Sequence, residues 1–510
     1  MGKNFIYCVF LIIVISCTGE ARRSTPSRGN SSGFLTLNRS MSEEPISLWY
    51  SNGIYKLFYI YSIRDKSNVN NYVCSIGNAI STDLINWEVQ STHLFHKKAF
   101  VYKGGIIIDI NNVTGFGSKE NPPFIALLIM RDQFNDNSEG SKTYPVLAYS
   151  NDNGISWTIA EDKINFPETF KDYPQNVNIF WHNSSGKWIM ILGLSDNVVL
   201  YSSKDLFSWD FESLYSPDFF NGNVFLESPC LVPLDDGAHW VLFLNFISYQ
   251  SGQIDKGIIY LIGYFDGHRF TNLSLRPCLL DYGNAINGGF VSVGPNSTNI
   301  LIPWLNIDSV NSMYGWNKKE RRILFPRKLK SHYNENNEIE LSISPVENLK
   351  ILPGRLKKIE SLTISEKNAI NVSRLRTPYL ANITFNTSEI RRWNFPSSYG
   401  IVLRNDANEK LTVGYNTSFK YYFIDTSKLS NVKSLVEASN IFRMPFNHSD
   451  STMVFKLYVY NSMVELYCNN DLLLMSGYYS VEKRFDKMDL FSENGELNLL
   501  ECKINRLKLK

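Results

Sequence analysis

Two acidic stretches carry the residues best suited to chemistry. MSEEPIS (41–47) sets Glu43 and Glu44 before a proline, and FLESPC (225–230) sets Glu227 before Ser-Pro. A carboxylate can act as nucleophile, general acid or general base. The plainer readings are a solvated carboxylate at a strand start for Glu44 and an ordinary acid on a sheet edge for Glu227. Metal chemistry finds little support, because the seven His are scattered and the seven Cys show no CxxC spacing. With Lys plus Arg at 51 against 49 for Asp plus Glu, the net charge of +2 leaves no electrostatic footprint for nucleic acid.

The elements that must position these residues are β-strands. Beyond an apolar run at Phe5–Ile15, short alternating apolar runs are broken by turns, and long helical periodicity is missing. An aromatic content of 14% suits β-sheets better than helical bundles. Three segments repeat one pattern: AISTDLINW (79–87), LAYSNDNGISW (147–157) and LYSSKDLFSW (200–209). Each is a strand ending in Ser, an Asx-type turn on Asp83, Asp152 or Asp205, then Trp87, Trp157 or Trp209 capping the next strand. Spacings of 70 and 52 residues fit one four-stranded sheet per repeat, the mark of propeller blades. After Pro345 and Pro353 the repeat stops while alternating strands continue, which reads as a separate β-sandwich.

The start of the chain reads as a secretory signal peptide: one Lys, the apolar run Phe5–Ile15, then the small residues Ser16, Cys17, Thr18 and Gly19. Val14-Ile15-Ser16-Cys17 also resembles a bacterial lipoprotein site, with Cys17 lipidated. Either version exports the protein, with no transmembrane segment in the mature chain. Cleavage leaves five Cys, an odd number, of which Cys468 and Cys502 lie in late strand-like segments and can pair. Eleven Asn-x-Ser/Thr sequons suit a secreted glycoprotein. The expected layout is a signal peptide at 1–21, a leader at 22–33, a propeller at 34–345, a connection at 346–360 and a sandwich at 361–510.

At this point the motifs resemble a family. VYKGGIIIDINNVTGFGSKENPPFIALL (101–128) is similar to the glycoside hydrolase family 32 stretch that begins FSGSAVVD and continues through NN and TSGFG. NIFWHNSSGKWIMILG (178–193) resembles that family's KVFWHxxSGKWVMVLG, and FDGHRF (265–270), LDYG (280–283) and FPRKL (325–329) follow in the family's order. KLYVYNSMVELYCNNDLLLMS (456–476) resembles the closing sandwich motif, with Glu465 at the motif's Glu. The resemblance covers about residue 34 to 510. It implies an all-β fold, a five-bladed β-propeller followed by a C-terminal β-sandwich, and retaining hydrolysis of β-fructofuranosides such as sucrose, inulin or levan. It implies no metal or organic cofactor, since two carboxylates and water suffice for the reaction.

Carried over residue by residue, FLESPC falls on the family's WECP and makes Glu227 the proton donor. MSEEPIS falls on WMNDPNG and puts Glu44 at the nucleophile position, where the family has Asp. QNVNIFWH (175–182) falls on RDPKVFWH, so Asn176 stands at the transition-state stabiliser, an Asp in the family, and Gln175 at its Arg. An Asn can hydrogen-bond a sugar hydroxyl but carries no charge to offset a developing cation. Asp172 is a substitute only under an alignment shifted by four residues. Lys103, Gly104, Gln175 and Trp304 are the further sugar-contacting positions. Lys103 and Gly105 replace two serines, Ile60 a Gln, Ile76 and Met41 two Trp, and Ala285 an acidic residue. The substitutions concentrate in the pocket, while the core strands keep the pattern.

Three functions follow. The first is a secreted hydrolase of fructofuranosides with weak or altered activity, using Glu44 and Glu227. The second is a pseudoenzyme that binds a carbohydrate or a protein partner without cleaving it. The third, an arabinose- or xylose-directed five-bladed propeller enzyme, fits the sandwich motif least. A monomer with a carbohydrate ligand is expected.

Overall fold

The computed structural model describes residues 35, 37, 42–64, 72–90, 99–132, 143–160, 165, 177–217, 219, 223–250, 253–273, 276–306, 321–334, 336–346, 350–366, 369–389, 394–429 and 440–508. Residues 1–33, which hold the expected signal and leader, lie outside that set, as do Gln175 and Asn176.

The alternating runs form antiparallel blades. The first is β1 (Ser42–Ser51), β2 (Ile54–Arg64), β3 (Tyr72–Ser81) and β4 (Glu88–Gln90). The second is β5 (Ala99–Ile108), β6 (Phe124–Asp132), β7 (Thr143–Ser150) and β8 (Thr158–Ile159). The third is β9 (Val177–His182), β10 (Lys187–Leu194), β11 (Asn197–Ser203) and β12 (Asp210–Tyr215). The fourth is β13 (Asn223–Pro233), β14 (Trp240–Gln250), β15 (Gln253–Phe265) and β16 (Phe270–Asn272), with β17 (Cys278–Leu279) added on β15. The fifth is β18 (Gly288–Val293), β19 (Asn299–Asn306), β21 (Arg327–Tyr333) and β22 (Ile339–Pro345), with β20 (Arg321–Ile323) between β19 and β1.

The innermost strands β1, β5, β9, β13 and β18 touch one another in turn, and β18 closes on β1. This ring makes the protein a five-bladed propeller. Closure is sealed by β20, which pairs antiparallel with β19 and parallel with β1 through Ser42 and Arg321. Leu35 adds a backbone bond from its N–H to Ile323 O at 2.8 Å. Apolar residues of facing blades fill the wedges between them, such as Ile46, Phe58 and Ile76 of the first blade against Val101 and Leu128 of the second.

The repeated turns join the third and fourth strands of blades one to three. In the first, Ser81 Oγ accepts from the N–H groups of Asp83 and Leu84 at 3.1 and 2.9 Å, and Asp83 Oδ1 accepts from Ile85 and Asn86 at 3.0 and 2.8 Å. Ser203 and Asp205 repeat this geometry, and Ser150 with Asp152 builds a variant of it. Burial opposes ionisation of Asp83, but the turn's donors hold its carboxyl below the usual range. Trp87 and Trp209 are buried, while Trp157 is only half-buried. The fourth blade carries a version that the sequence repeat does not reveal. Asp266 Oδ1 accepts from His268 and Arg269, both at 2.7 Å, with neither the Ser nor the Trp to mark it.

The second domain is a β-sandwich. One sheet has the order β23 (Lys350–Ile359), β35 (Leu497–Lys508), β26 (Tyr379–Asn386), β31 (Thr452–Val459), β32 (Met463–Cys468) and β33 (Leu473–Tyr478), with β24 (Leu362–Ile364) on β35. The other has the order β25 (Ile370–Val372), β34 (Lys487–Glu493), β27 (Ser398–Arg404), β28 (Lys410–Asn416), β29 (Tyr421–Lys428) and β30 (Ile441–Pro445). The stretch read as a connection, 346–360, contains β23. The Cys468–Cys502 pair that the sequence allows is not formed. Both are buried free thiols in the sandwich core, on strands that are not paired with each other.

Three of the motifs meet where the domains join. Arg327 of FPRKL, fully buried, pairs with Glu465 of the sandwich, whose second oxygen accepts from Tyr467 OH at 3.1 Å. Asp281 of LDYG accepts from Ser476 N–H at 2.8 Å, from Gly283 N–H at 3.0 Å and from Ser476 Oγ. A Cβ on Gly283 would lie 1.8 Å from Ser476 O, so only glycine permits this approach.

Burial pushes the Asp281 carboxyl up to about 7 from 3.8. The folded state therefore binds this proton more tightly than the unfolded chain. Its contribution to stability is full below about pH 4 and is lost as pH rises through about 7. Asp281→Asn keeps an acceptor for the two N–H groups without the charge. The denaturant midpoint of this variant relative to wild type is expected to rise between pH 4 and 7.5, and a constant difference would contradict the assignment.

Candidate active site

The three described candidates that carry charge sit where the innermost strands break their pairing. In β1, Glu44 lies opposite Ile60 and Pro45 opposite Tyr59, after which the register slips so that Ser47 faces Phe58. In β5 the slip falls between Val101 and Lys103. In β13 it falls between Glu227 and Cys230, with Ser228 in the left-handed region at φ 47°. A bulge bends its strand and re-aims the side chain beside it, so on three blades a charged residue that keeps its ladder partner stands next to such a bend.

Glu44 is buried, which removes the solvated-carboxylate reading. Lys103 Nζ donates to Glu44 Oε1 at 2.9 Å and to Oε2 at 3.2 Å, and Lys103 is buried as well. Behind the pair lies an apolar bed, because Ile60 faces both Glu44 and Ile76 across the strands and packs with Ile46 and Val101. In such surroundings an ion pair is strong once made, and either charge alone is costly. Ser47 Oγ, donating to Ile106 O at 2.7 Å, pins the two strands next to the pair.

A pocket lies at the centre of the ring. Its walls include Pro45, Gly104, Val177, Ser228 and Phe290, one from each innermost strand, together with Trp304. Thus Gly104 and Trp304 line the cavity directly, and the chain neighbours of Glu44, Lys103 and Glu227 do so. Val177 directly follows Asn176, which with Gln175 lies outside the described residues. Trp304 reaches inward over Gly288, where a Cβ would come within 2.5 Å of the indole. Among the described residues no group of three or more His, Cys, Asp or Glu converges as a metal site requires.

Asn245 is a site neighbour that sequence reasoning missed. It stands opposite Glu227 across β13 and β14. Its side chain donates to Gly289 O at 3.3 Å and accepts from Gly289 N–H at 3.1 Å, tying the fourth blade to the fifth. A polar residue inside the apolar run VLFLNFI was the available signal.

A five-bladed propeller with carboxylates on its innermost strands, joined to a β-sandwich, defines a glycosidase-type class. The particular family follows from direct comparison. The profile of the Glycosyl hydrolases family 32 N-terminal domain matches residues 35–343, and that of the family 32 C terminal matches residues 351–506. The chain belongs to this family. It is 24% identical to a levanase of Bacillus subtilis over 496 residues, covering 93% of this chain and 70% of that one. It is 24% identical to invertase 1 of Saccharomyces cerevisiae over 485 residues, covering 87% and 88%. The crystal structure of exo-inulinase from Aspergillus awamori superposes with a TM-score of 0.77 at 20% identity, covering 95% of this chain and 99% of that one. The fructofuranosidase of Schwanniomyces occidentalis complexed with fructose superposes with a TM-score of 0.74 at 19% identity, covering 94% and 99%.

Proposed function

We propose that this protein binds a β-fructofuranosyl unit at the centre of its propeller and hydrolyses its glycosidic bond slowly, with retention. In the first step Glu227 gives its proton to the glycosidic oxygen while a Glu44 oxygen attacks the anomeric carbon, so that the leaving alcohol departs and a glycosyl ester forms. In the second step Glu227, now a base, takes a proton from water, whose oxygen displaces Glu44 from the anomeric carbon. Asn176 hydrogen-bonds the sugar without stabilising its positive charge, and Gln175 contributes a further polar contact. Gly104 and Trp304 shape the pocket.

The observation that carries this reading is the Glu44–Lys103 pair beside the central cavity. Lys103 holds Glu44 in one orientation through its two hydrogen bonds, as a nucleophile requires. The same ammonium draws electron density from the attacking oxygen and sets positive charge beside a cationic transition state, which slows the step. The pair also favours a second reading, in which Lys103 satisfies the carboxylate for good and the propeller binds a sugar without cleaving it.

Incubating the purified protein with sucrose, inulin and levan decides between them. Wild type is expected to release fructose slowly. The combined replacement Glu44→Asp, Asn176→Asp and Lys103→Ser is expected to raise the rate about 100-fold, the scale of a misplacement of about 1 Å. Binding by calorimetry with no fructose from either protein would establish the second reading instead. The secreted location, the glycosylation, the monomeric state and the division near 346–360 belong to the same proposal. The secreted location is supported by the leading segment and by relatives named as extracellular exo-inulinases, and the glycosylation by the sequons.

A further inference from the structure

Asn245 is the polar interruption of VLFLNFI (241–247), and only 4% of it is exposed. Among the described residues β18 pairs with β19 alone, which leaves the inner edge of β18 without a strand. Asn245 takes a strand's place there. Its Nδ2 donates to Gly289 O at 3.3 Å and its Oδ1 accepts from Gly289 N–H at 3.1 Å. A facing peptide unit offers the same donor and acceptor. The approach is close, since a Cβ on Gly289 would come within 2.8 Å of Ile258 in the fourth blade.

This tie has the candidate acid at one end and the pocket wall at the other. Across β13 and β14, Asn245 stands opposite Glu227. Directly opposed residues project to one face with Cβ atoms about 5 Å apart, so the two side chains are neighbours. Past Glu227 the ladder skips Ser228 and Pro229, so the Asn245 pair is the last fixed point of β13 before the bend. On the other side of the tie, Phe290 follows Gly289 and lines the pocket, and Gly288 precedes it beneath the Trp304 indole. One buried amide thus sets the spacing between Glu227 and the wall that the fifth blade contributes.

We propose that Asn245 is the positioning residue of the acid/base, holding the Glu227 carboxyl at the depth where it reaches the glycosidic oxygen. This rests on reading Glu227 as the proton donor. Proton transfer needs the donor within hydrogen-bond reach of its target, and a misplacement of about 1 Å costs about 100-fold. Asn245 acts through β14 and β18 and does not itself touch the sugar. Its loss therefore affects the steps that use Glu227 and spares the attack by Glu44 from the first blade.

The test compares sucrose, whose leaving alcohol needs a proton, with a nitrophenyl fructoside, whose leaving group does not. In full-length protein Asn245→Ala is expected to lower kcat on sucrose about 100-fold with KM unchanged. The initial burst of nitrophenol keeps its wild-type rate, which also reports a folded nucleophile site. Should the alanine protein fail to fold, Asn245→Ser, too short to bond both groups of Gly289, is read by the same pair of substrates and is expected to show the same selective loss. Equal losses on both substrates mean that Asn245 only holds the blades together, and no loss on either means that Glu227 is placed without it; each overturns the assignment while Glu227 keeps its role. If wild type cleaves neither substrate, the hydrolase reading itself fails and takes this inference with it.

Discussion

Glu227→Gln is expected to slow fructose release from sucrose about a thousandfold, within the range that general acid–base catalysis contributes, while leaving sucrose binding intact. Glutamine matches the shape of the glutamate but has no proton to give to a sugar alkoxide, which is a poor leaving group. A nitrophenyl fructoside needs no such proton, so with that substrate the first step survives. The second step still lacks its base, and the glycosyl ester on Glu44 accumulates. A burst of nitrophenol followed by a slow steady state is the expected trace. Unchanged turnover of sucrose would place the acid elsewhere. The substitution is structurally quiet. The backbone there is set by the register shift of β13, by Ser228 in the left-handed region and by Pro229, not by the Glu227 side chain.

Glu465→Ala carries the largest expected loss of stability. Its partner Arg327 is fully buried at the domain junction and cannot shed its charge. Removing one member of such a pair strands the other, at a cost of about 3–5 kcal/mol. Much of that comes from the uncompensated guanidinium. The companion experiment is Arg327→Met with Glu465→Leu, which removes both charges and is expected to be near neutral, or mildly stabilising. Denaturant midpoints measure both variants. Equal losses in the single and double variants would mean that packing volume, not charge, is what the site provides. Because Asp281 and Ser476 bridge the same junction, losses from Glu465→Ala and Asp281→Asn should not add.

Much of the fold was legible before folding. Strand periodicity is local, since one residue in two faces the core, and the Ser-Asp turns depend on N–H groups within a few residues of each acceptor. The reading therefore found blades one to three from their turns. It missed the turn at Asp266 because that copy keeps only the Asp. It left the closure of the ring unseen, because β20 and β1 are nearly 280 residues apart in sequence and pair through a single register contact. The motifs LDYG and FPRKL and the Glu of the sandwich motif were recognised as landmarks without a task. Their shared task, a buried junction between two domains, exists only when Asp281, Arg327, Glu465 and Ser476 are brought together.

By itself the sequence determined the strand pattern, the repeat, the order of the family motifs and the carboxylates at 44 and 227. These rest on residue identity and spacing. Only the tertiary structure decided what Glu44 is in place: a buried carboxylate closed by Lys103, 59 residues away on the neighbouring blade. Along the chain Lys103 stands only as a replaced serine in a sugar-contacting position. Coulomb attraction depends on distance and on the surrounding dielectric, and neither is written along a chain. Two substitutions that looked like separate departures from a hydrolase thus turn out to be a single ion pair.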